Sequence, residues 1–316
     1  MKPKVFIDGE AGTTGLQIRA RLAPRADIDL ISIDPSRRKD PAARAELLNA
    51  ADAVVLCLPD EPAREAVSLI ENPSVKVIDA SSAHRVAEGW TYGFAEMSGQ
   101  RAKVAAATRV TNPGCWPTGF IALVRPVIEA GLIPAASLLT VHGATGYSGG
   151  GRTLIEEYEQ GPDHDVVRPY GLAMGHKHVP EMTLYSGLLC APLFSPTVGR
   201  FNQGMIVEVP LHLPAGVEPQ TLRAALEAAY AGEAFVEVAD AETCARIQKA
   251  KTPASGYVAE LDPETLKDTN RMRLFVFGAA GQARLLAVFD NLGKGASGAA
   301  VQNLNLMLGL PEGAGL

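Results

Sequence analysis

Several features that commit a chain to a special environment are scarce or missing in these 316 residues. The four cysteines, Cys57, Cys115, Cys190 and Cys244, lie far apart and form no CxxC pair, which argues against a zinc knuckle or a disulfide framework. No stretch of about 18 uncharged apolar residues occurs, so no spanning helix is expected. The opening segment MKPKVFIDGE reaches strand-like residues by Val5 and leaves no room for the basic and apolar regions of a signal peptide; a cytoplasmic location is the expectation. Positive charge is also short. Against 35 Asp and Glu stand 29 Lys and Arg, a net of -6, which disfavours a broad electrostatic grip on nucleic acid or an anionic membrane and points to small-molecule partners. The 31 glycines and 22 prolines follow no fixed period, excluding collagen-like and solenoid architectures. What is present, 47% hydrophobic and 20% charged residues over this length, suits two globular domains.

Val5 to Ile7, Leu30 to Ile33, Ala53 to Leu58 and Val75 to Ile78 read as strands. Three are nearly continuous in Val, Ile and Leu, as strands buried on both faces of a parallel sheet are. Helical spacing over Leu16 to Leu22, Pro41 to Ala50 and Glu61 to Glu71 supplies crossovers, with Pro41 and Pro62 at first-turn positions. The expected fold is therefore α/β, a Rossmann-type doubly wound parallel sheet. After Cys115 the texture changes. A helix over Thr118 to Ala130 precedes strand-like runs at Ser137 to His142, Met205 to Leu211, Phe235 to Val238, Arg273 to Phe277 and Arg284 to Phe289, many joined by loops. With helices near Gly149 to Glu159 and Pro219 to Tyr230, they imply a second α+β domain with a mixed or antiparallel sheet. A helix over Ser297 to Leu308 closes the chain, and the domain boundary falls near Cys115.

Gly9-Glu10-Ala11-Gly12-Thr13-Thr14-Gly15 follows the first strand and opens a helix. Gly9 permits the tight turn, Gly12 admits backbone to a pyrophosphate, and Gly15 lets helix and strand pack closely, while N-terminal amides such as those of Thr13 and Thr14 face the anion. A plain βα turn is the alternative. The second strand ends at Asp34, which could bind a ribose hydroxyl. Ser36, Arg37 and Arg38 are better suited to a 2′-phosphate, so NADP(H) is favoured over NAD, a solvated basic turn being the other reading.

Asn112-Pro113-Gly114-Cys115-Trp116-Pro117-Thr118-Gly119 puts a cysteine in a rigid turn just ahead of a helix. Free amides and the helix dipole would stabilise a thiolate there, and the same amides could hold an oxyanion. Cys57 and Cys190, in apolar runs, read as buried structural residues, and Cys244 has no evident role. Gly175-His176-Lys177-His178-Val179-Pro180-Glu181 offers two histidines. A metal would need further ligands, so a general acid/base near the thiol is the preferred reading, with a plain surface pair as the other. His84 and His142, at strand ends, are secondary candidates; His164 and His212 read as structural. Gly146 to Arg152, with Ser148 and Arg152, suits an anionic substrate, and Asp290 to Gly298 is similar; either could be only a helix cap.

Six segments in this order, GEAGTTG (Gly9 to Gly15), DASSAHR (Asp79 to Arg85), NPGCWPTG (Asn112 to Gly119), GYSGGGR (Gly146 to Arg152), GHKHVPE (Gly175 to Glu181) and DNLGKGASGAAVQNLN (Asp290 to Asn305), resemble the short-type N-acetyl-γ-glutamyl-phosphate reductases of the semialdehyde dehydrogenase superfamily. The resemblance covers nearly the whole chain. It implies NADPH-dependent reduction of N-acetyl-L-glutamyl 5-phosphate to the 5-semialdehyde with phosphate release, in arginine biosynthesis. It also implies a thioester on Cys115 and a proton-shuttling histidine, His176 ahead of His178. The family's common form of that segment is HRHTPE, and here Lys177 stands in place of the arginine. Asn112, Ser148, Arg152 and Arg85 are the implied substrate contacts; where the longer type reads DLSADFR this chain has Ala83, so only Ser81 and Arg85 carry over there. Because the family returns its last helix to the nucleotide domain, Asn291, Gly293 and Lys294 are expected near the nicotinamide. The implied domains are 1–115 completed by 290–316 for NADP, and 116–289 for substrate, catalysis and oligomerisation as a homodimer or homotetramer. No metal is called for. Two alternatives stand beside this reading. One is a sister enzyme acting on aspartyl phosphate, whose cysteine typically sits in Asn-Cys-Ser/Thr; the other is a non-catalytic NADP-binding regulator, which would have no need of a cysteine at a helix start.

Overall fold

Residues that alternate between two apolar cores explain the first half of the architecture. The structure, a computed structural model, describes residues 2–37, 40–161, 164–249 and 261–316. It divides into two compact units, one running to Pro113 and resuming at Ala296–Leu316, the other Gly114–Gly295.

In the first unit, β1 (Lys4–Asp8), α1 (Thr13–Leu22), β2 (Asp29–Ile31), α2 (Pro41–Ala50), β3 (Ala53–Leu56), α3 (Asp60–Ser68), β4 (Lys76–Asp79), β5 (Thr91–Tyr92), α4 (Gln100–Ala106) and β6 (Arg109–Thr111) follow one another. Among the described residues the strands form one six-stranded parallel sheet in the order β2-β1-β3-β4-β6-β5. Alternate side chains of β1 and β3 serve opposite faces. Val5, Ile7 and Val55 point to a core with Ile18 and Leu22 of α1, whereas Phe6, Val54 and Leu56 point to one with Leu48 of α2 and Ala66 of α3. The first core is completed by Val301, Leu304 and Met307, which belong to the closing helix Gly298–Leu308. Helix α2 begins as its sequence dictates, with Pro41 at its first position and the Asp40 carboxylate accepting from the amides of Ala42 and Ala43. The strand expected over Ala53 to Leu58 ends at Leu56, because Cys57 and Leu58 already turn into the loop beyond. Strands β5 and β6, two and three residues long, were too short to show a period.

The second unit carries α5 (Cys115–Glu129), β7 (Thr140–Gly146), α6 (Gly151–Gln160), β8 (Val167–Pro169), α7 (Val179–Ser186), β9 (Leu193–Gly199), β10 (Met205–His212), α8 (Pro219–Ala229), β11 (Val236–Val238), α9 (Ala241–Lys249), β12 (Met272–Ala279) and β13 (Gln282–Phe289). Its described strands make a mixed sheet, β11-β12-β13-β10-β7-β9-β8, in which β7/β9 and β11/β12 are parallel and the other pairs antiparallel. Most of α5 is buried, from Trp116 through Val127. On part of one sheet face, Cys244 and Ile247 of α9 pack with Phe275, Leu286 and Val288. The closing helix, α10 (Gly298–Leu308), returns the chain to the first unit. Among the described residues no helix is long and apolar enough to cross a membrane.

Leu304 of α10 is fully buried in the first unit's core. Its replacement by alanine is expected to cost about 2–5 kcal/mol of stability, read from denaturant unfolding; a loss within experimental error would show that α10 is not part of that core.

Candidate active site

Gly114, in extended conformation, caps α5, so Cys115 is the first residue of a 15-residue helix rather than a turn residue ahead of it. No side chain caps this end and no acidic residue lies in its first turn. Pro117 has no N–H, and Thr118 N already donates to Gly114 O at 3.0 Å. Apart from the Gly114 amide, the positive end of the helix faces Cys115 and any anion approaching it, which favours a thiolate and a developing oxyanion alike.

The histidines are fastened to this turn through a buried carboxylate. Gly114 N donates to Glu181 Oε2 at 3.1 Å, and Glu181, fully buried, lies in the first turn of α7, directly after His178. Aromatic rings complete the link. Phe194 of β9 meets Trp116 edge-on at 5.3 Å and lies 5.0 Å from His176, which in turn is 4.7 Å from His178 and 5.9 Å from Tyr170. Burial, reinforced by the charge of Cys115, pushes the Tyr170 phenol well above its usual range, so it stays protonated. His178 N donates to His176 Nδ1 at 3.2 Å, which places the ring proton of neutral His176 on Nε2. Cys115, His176 and His178, chosen from separate stretches of sequence, therefore share one neighbourhood. Glu181, Tyr170 and Phe194 were not among the predicted site residues. Glu181 carried a signal, an acidic residue in an otherwise apolar helix start; Tyr170 and Phe194 carried none.

Two more loops build the same unit. A Cβ on Gly295 would lie 2.8 Å from the Cys115 Cβ, so only glycine fits against Cys115. Asn291 Nδ2 donates to Ser148 Oγ at 3.1 Å while Asn291 Oδ1 accepts from Gly204 N at 2.7 Å. Both residues are buried. Gly293 packs against the Thr269 carbonyl, and the buried Lys294 ammonium lies 5.7 Å from the centroid of the Phe235 ring. Asn291, Gly293 and Lys294 thus turn into the second unit. Arg152 is on the surface, its side chain 82% exposed and paired with Glu156 one turn along at 2.6 Å.

In the first unit the glycine loop has the shape of an anion cradle. Gly9 has φ +89°, and a side chain there would collide with the Cys57 carbonyl, as one on Gly15 would with the Gly9 carbonyl. Gly12 caps α1 without a side-chain hydrogen bond, and no acid lies in the first turn through Thr13 and Thr14. The loop's own carboxylate, Glu10, is drawn off by Arg19 at 2.6 Å, which also donates to Ser32 Oγ at 2.8 Å. These residues fit a pyrophosphate. Beyond β2, Asp34 accepts from Ser36 N and Oγ at 2.8 and 2.6 Å, bonds that hold its carboxyl below the usual range. Arg37 pairs with Asp40 at 3.0 Å with its guanidinium half exposed, and Arg38 lies outside the described residues. Asn112, 1% exposed, donates to Ala296 O at 2.9 Å and accepts from Asn303 at 3.2 Å. Arg85 is buried.

The remaining cysteines separate by environment. Burial, with Asp79 and Asp8 adding to it, pushes the Cys57 thiol up to about 12, and burial raises the Cys244 thiol as well. Cys190, expected to be buried, is exposed: the run Leu188-Leu189-Cys190 buries only Leu188 before β9 begins.

Residues 115–291 match the family model described as semialdehyde dehydrogenase, dimerisation domain, and residues 35–105 the one described as semialdehyde dehydrogenase, NAD binding domain. The fold is shared with aspartate semialdehyde dehydrogenase II of Vibrio cholerae, at a TM-score of 0.70 and 14% identity over 98% of both chains. It is also shared with an aspartate semialdehyde dehydrogenase with NADP from Candida albicans, at a TM-score of 0.65 and 12% identity, covering 98% of this chain and 99% of that one. A nucleotide loop in one unit and a helix-start cysteine in the other thus sit on a semialdehyde dehydrogenase scaffold. N-acetyl-γ-glutamyl-phosphate reductase of Chelativorans sp. (strain BNC1) is 57% identical over 98% of this chain and 99% of that protein, and its namesake in Mesorhizobium japonicum 56% identical over 98% and 100%. Within the semialdehyde dehydrogenases, this chain belongs to the N-acetyl-γ-glutamyl-phosphate reductase family.

In a Cys190→Ser background, iodoacetamide at mildly alkaline pH is expected to modify Cys115 and to spare Cys57 and Cys244, as read by peptide mass spectrometry. Labelling of Cys57 ahead of Cys115 would contradict the environments described above.

Proposed function

We propose that this chain reduces N-acetyl-L-glutamyl 5-phosphate to N-acetyl-L-glutamate 5-semialdehyde and phosphate with NADPH, through a thioester on Cys115, as a step of arginine biosynthesis. The observation that carries the reading is the placement of Cys115 at the uncapped start of α5, locked through Gly114 and Glu181 to the segment bearing His176 and His178.

The first unit would hold the cofactor, its pyrophosphate at Gly9, Gly12, Thr13, Thr14 and Gly15 and its 2′-phosphate at Ser36, Arg37 and Arg38. Bound NADPH supplies the hydride that takes the thioester to the aldehyde level. The chemistry of the second unit starts with the Cys115 proton passing to the His176/His178 pair. The thiolate attacks the acyl carbon; the S–C bond forms, the C–O bond to the phosphoryl group breaks, and phosphate leaves with the electron pair. Amides at the start of α5 stabilise the oxyanion at each tetrahedral stage. Once the carbon is reduced, the C=O bond re-forms, the S–C bond breaks toward sulfur, and the histidine pair returns its proton there. His176 is the preferred member, with His178 beside it at 4.7 Å between ring centroids.

Ser148, Arg152 and Arg85 are proposed to meet the anionic groups of the substrate. Asn112, with both ends of its amide engaged, is better placed to set the turn entering α5 than to bind substrate. Asn291, Gly293 and Lys294 are proposed as further cofactor-binding residues, in the loop whose Gly295 packs against Cys115. That unit is also assigned subunit association, as a homodimer or homotetramer. Its match to a dimerisation-domain model supports this, and light scattering that finds only monomer would contradict it.

The nearest rival is an aspartyl-phosphate reductase, since solved structures of that activity share the fold. Phosphate-dependent reduction of NADP, assayed with N-acetylglutamate semialdehyde and with aspartate semialdehyde, is expected to favour the former; the reverse preference would overturn the assignment. Cys115→Ser should abolish turnover and leave NADPH binding near the wild-type value. Replacing the working histidine by asparagine should lower kcat by about 10²–10⁴-fold. If neither His176→Asn nor His178→Asn does so, the proton shuttle lies elsewhere.

A further inference from the structure

The segment Asp79 to Arg85 contains a side-chain arrangement that the mechanism leaves unused. Asp79 ends β4 and is fully buried. Its carboxylate accepts from Ser81 N and Ser81 Oγ, both at 2.8 Å, and faces His84 Nδ1 at 2.6 Å. An ionised carboxylate only accepts, so the His84 ring proton is held on Nδ1 and a lone pair is left on Nε2. The ring cannot easily turn, because it is stacked on Trp90 at 4.2 Å with only 15° between the planes. Among the described residues, Nε2 has no hydrogen-bond partner. A largely buried imidazole is therefore fixed at one nitrogen and offers the other as an acceptor.

Its place in the sheet suggests what it offers that acceptor to. In doubly wound sheets ligands lie outside the carboxyl ends of the strands, and His84 follows the carboxyl end of β4. The order β2-β1-β3-β4 sets β4 two strands from the glycine loop of β1, a separation of about 10 Å at ordinary strand spacing. With the pyrophosphate over that loop and the adenosine half toward β2, where Asp34 and Ser36 lie, the other half of a dinucleotide extends over β3 and β4.

We propose that His84 is a cofactor-binding residue whose Nε2 accepts a hydrogen bond from the nicotinamide riboside half of NADPH, through a ribose hydroxyl or the carboxamide N–H. Asp79 and Trp90 position it. The proposal rests on the first unit being the NADP-binding unit.

His84→Asn keeps a donor for Asp79 near Nδ1 and deletes Nε2. The dissociation constants of NADPH and of 2′,5′-ADP, which lacks the nicotinamide half, are measured by fluorescence and calorimetry alongside the thermal midpoint. NADPH is expected to weaken about 2- to 12-fold, the worth of one net hydrogen bond, while 2′,5′-ADP binds as to wild type. His84→Phe, which preserves the stack on Trp90, should give the same selective loss and serves if the asparagine variant fails to fold. Unchanged NADPH affinity in the folded variants, or equal weakening of both ligands, would overturn the proposal. Failure of the wild-type protein to bind either ligand would instead overturn the reading of the first unit, and this assignment with it.

Discussion

One buried carboxylate holds the reactive part of the second unit together. Glu181 has no access to water, so its polar atoms must be met from within, and the amide of Gly114 meets Oε2 at 3.1 Å. The residue before Cys115 is thereby fixed to the helix that begins where the two histidines end. The same turn carries Trp116, whose ring meets Phe194 at 5.3 Å, and Cys115, whose Cβ leaves room for nothing larger than hydrogen at position 295. Removing the carboxylate would leave a buried N–H without its acceptor at the point where the thiolate must be held still.

The two units use the same physical device for different purposes. Both α1 and α5 begin at a glycine, lack a side-chain cap and carry no acid in the first turn. In α1 the open end faces a loop whose single carboxylate has been neutralised by Arg19, which suits a fixed, doubly charged pyrophosphate. In α5 it lies at Cys115, whose proposed part in the reaction requires a charge that comes and goes. The same positive end therefore serves standing charge in one unit and transient charge in the other.

Much of this was legible in the residues. The parallel sheet could be read because β1, β3 and β4 are buried on both faces and so carry continuous apolar runs, Val5 to Ile7, Ala53 to Leu56 and Val77 to Ile78, and α2 could be bounded because Pro41 suits its first turn. Cys115 was recognisable by a proline-and-glycine frame that only a helix start explains. Other elements were not legible. Strand β9 contains Pro196 and presents alternate residues to solvent, and β8 is three residues long, so neither shows a buried-strand pattern. The apolar run around Cys190 suggests burial, yet the residue is exposed, because burial depends on what packs over a run. Asn291 sits in a loop that reads as a ligand site, and its bonds to Ser148 and Gly204 could not be read from the residues, because those partners are distant in sequence.

The return of α10 has a consequence for how the molecule is made. Val5, Ile7, Val55 and Ile78 share a core with Val301 and Leu304, which are made only after the whole of the second unit. During synthesis that face of the first sheet lacks a large part of its cover, while every residue of the second unit has already been made. Vectorial folding is therefore inverted for this pair: the unit whose strands are made first is completed only after the unit inserted within it.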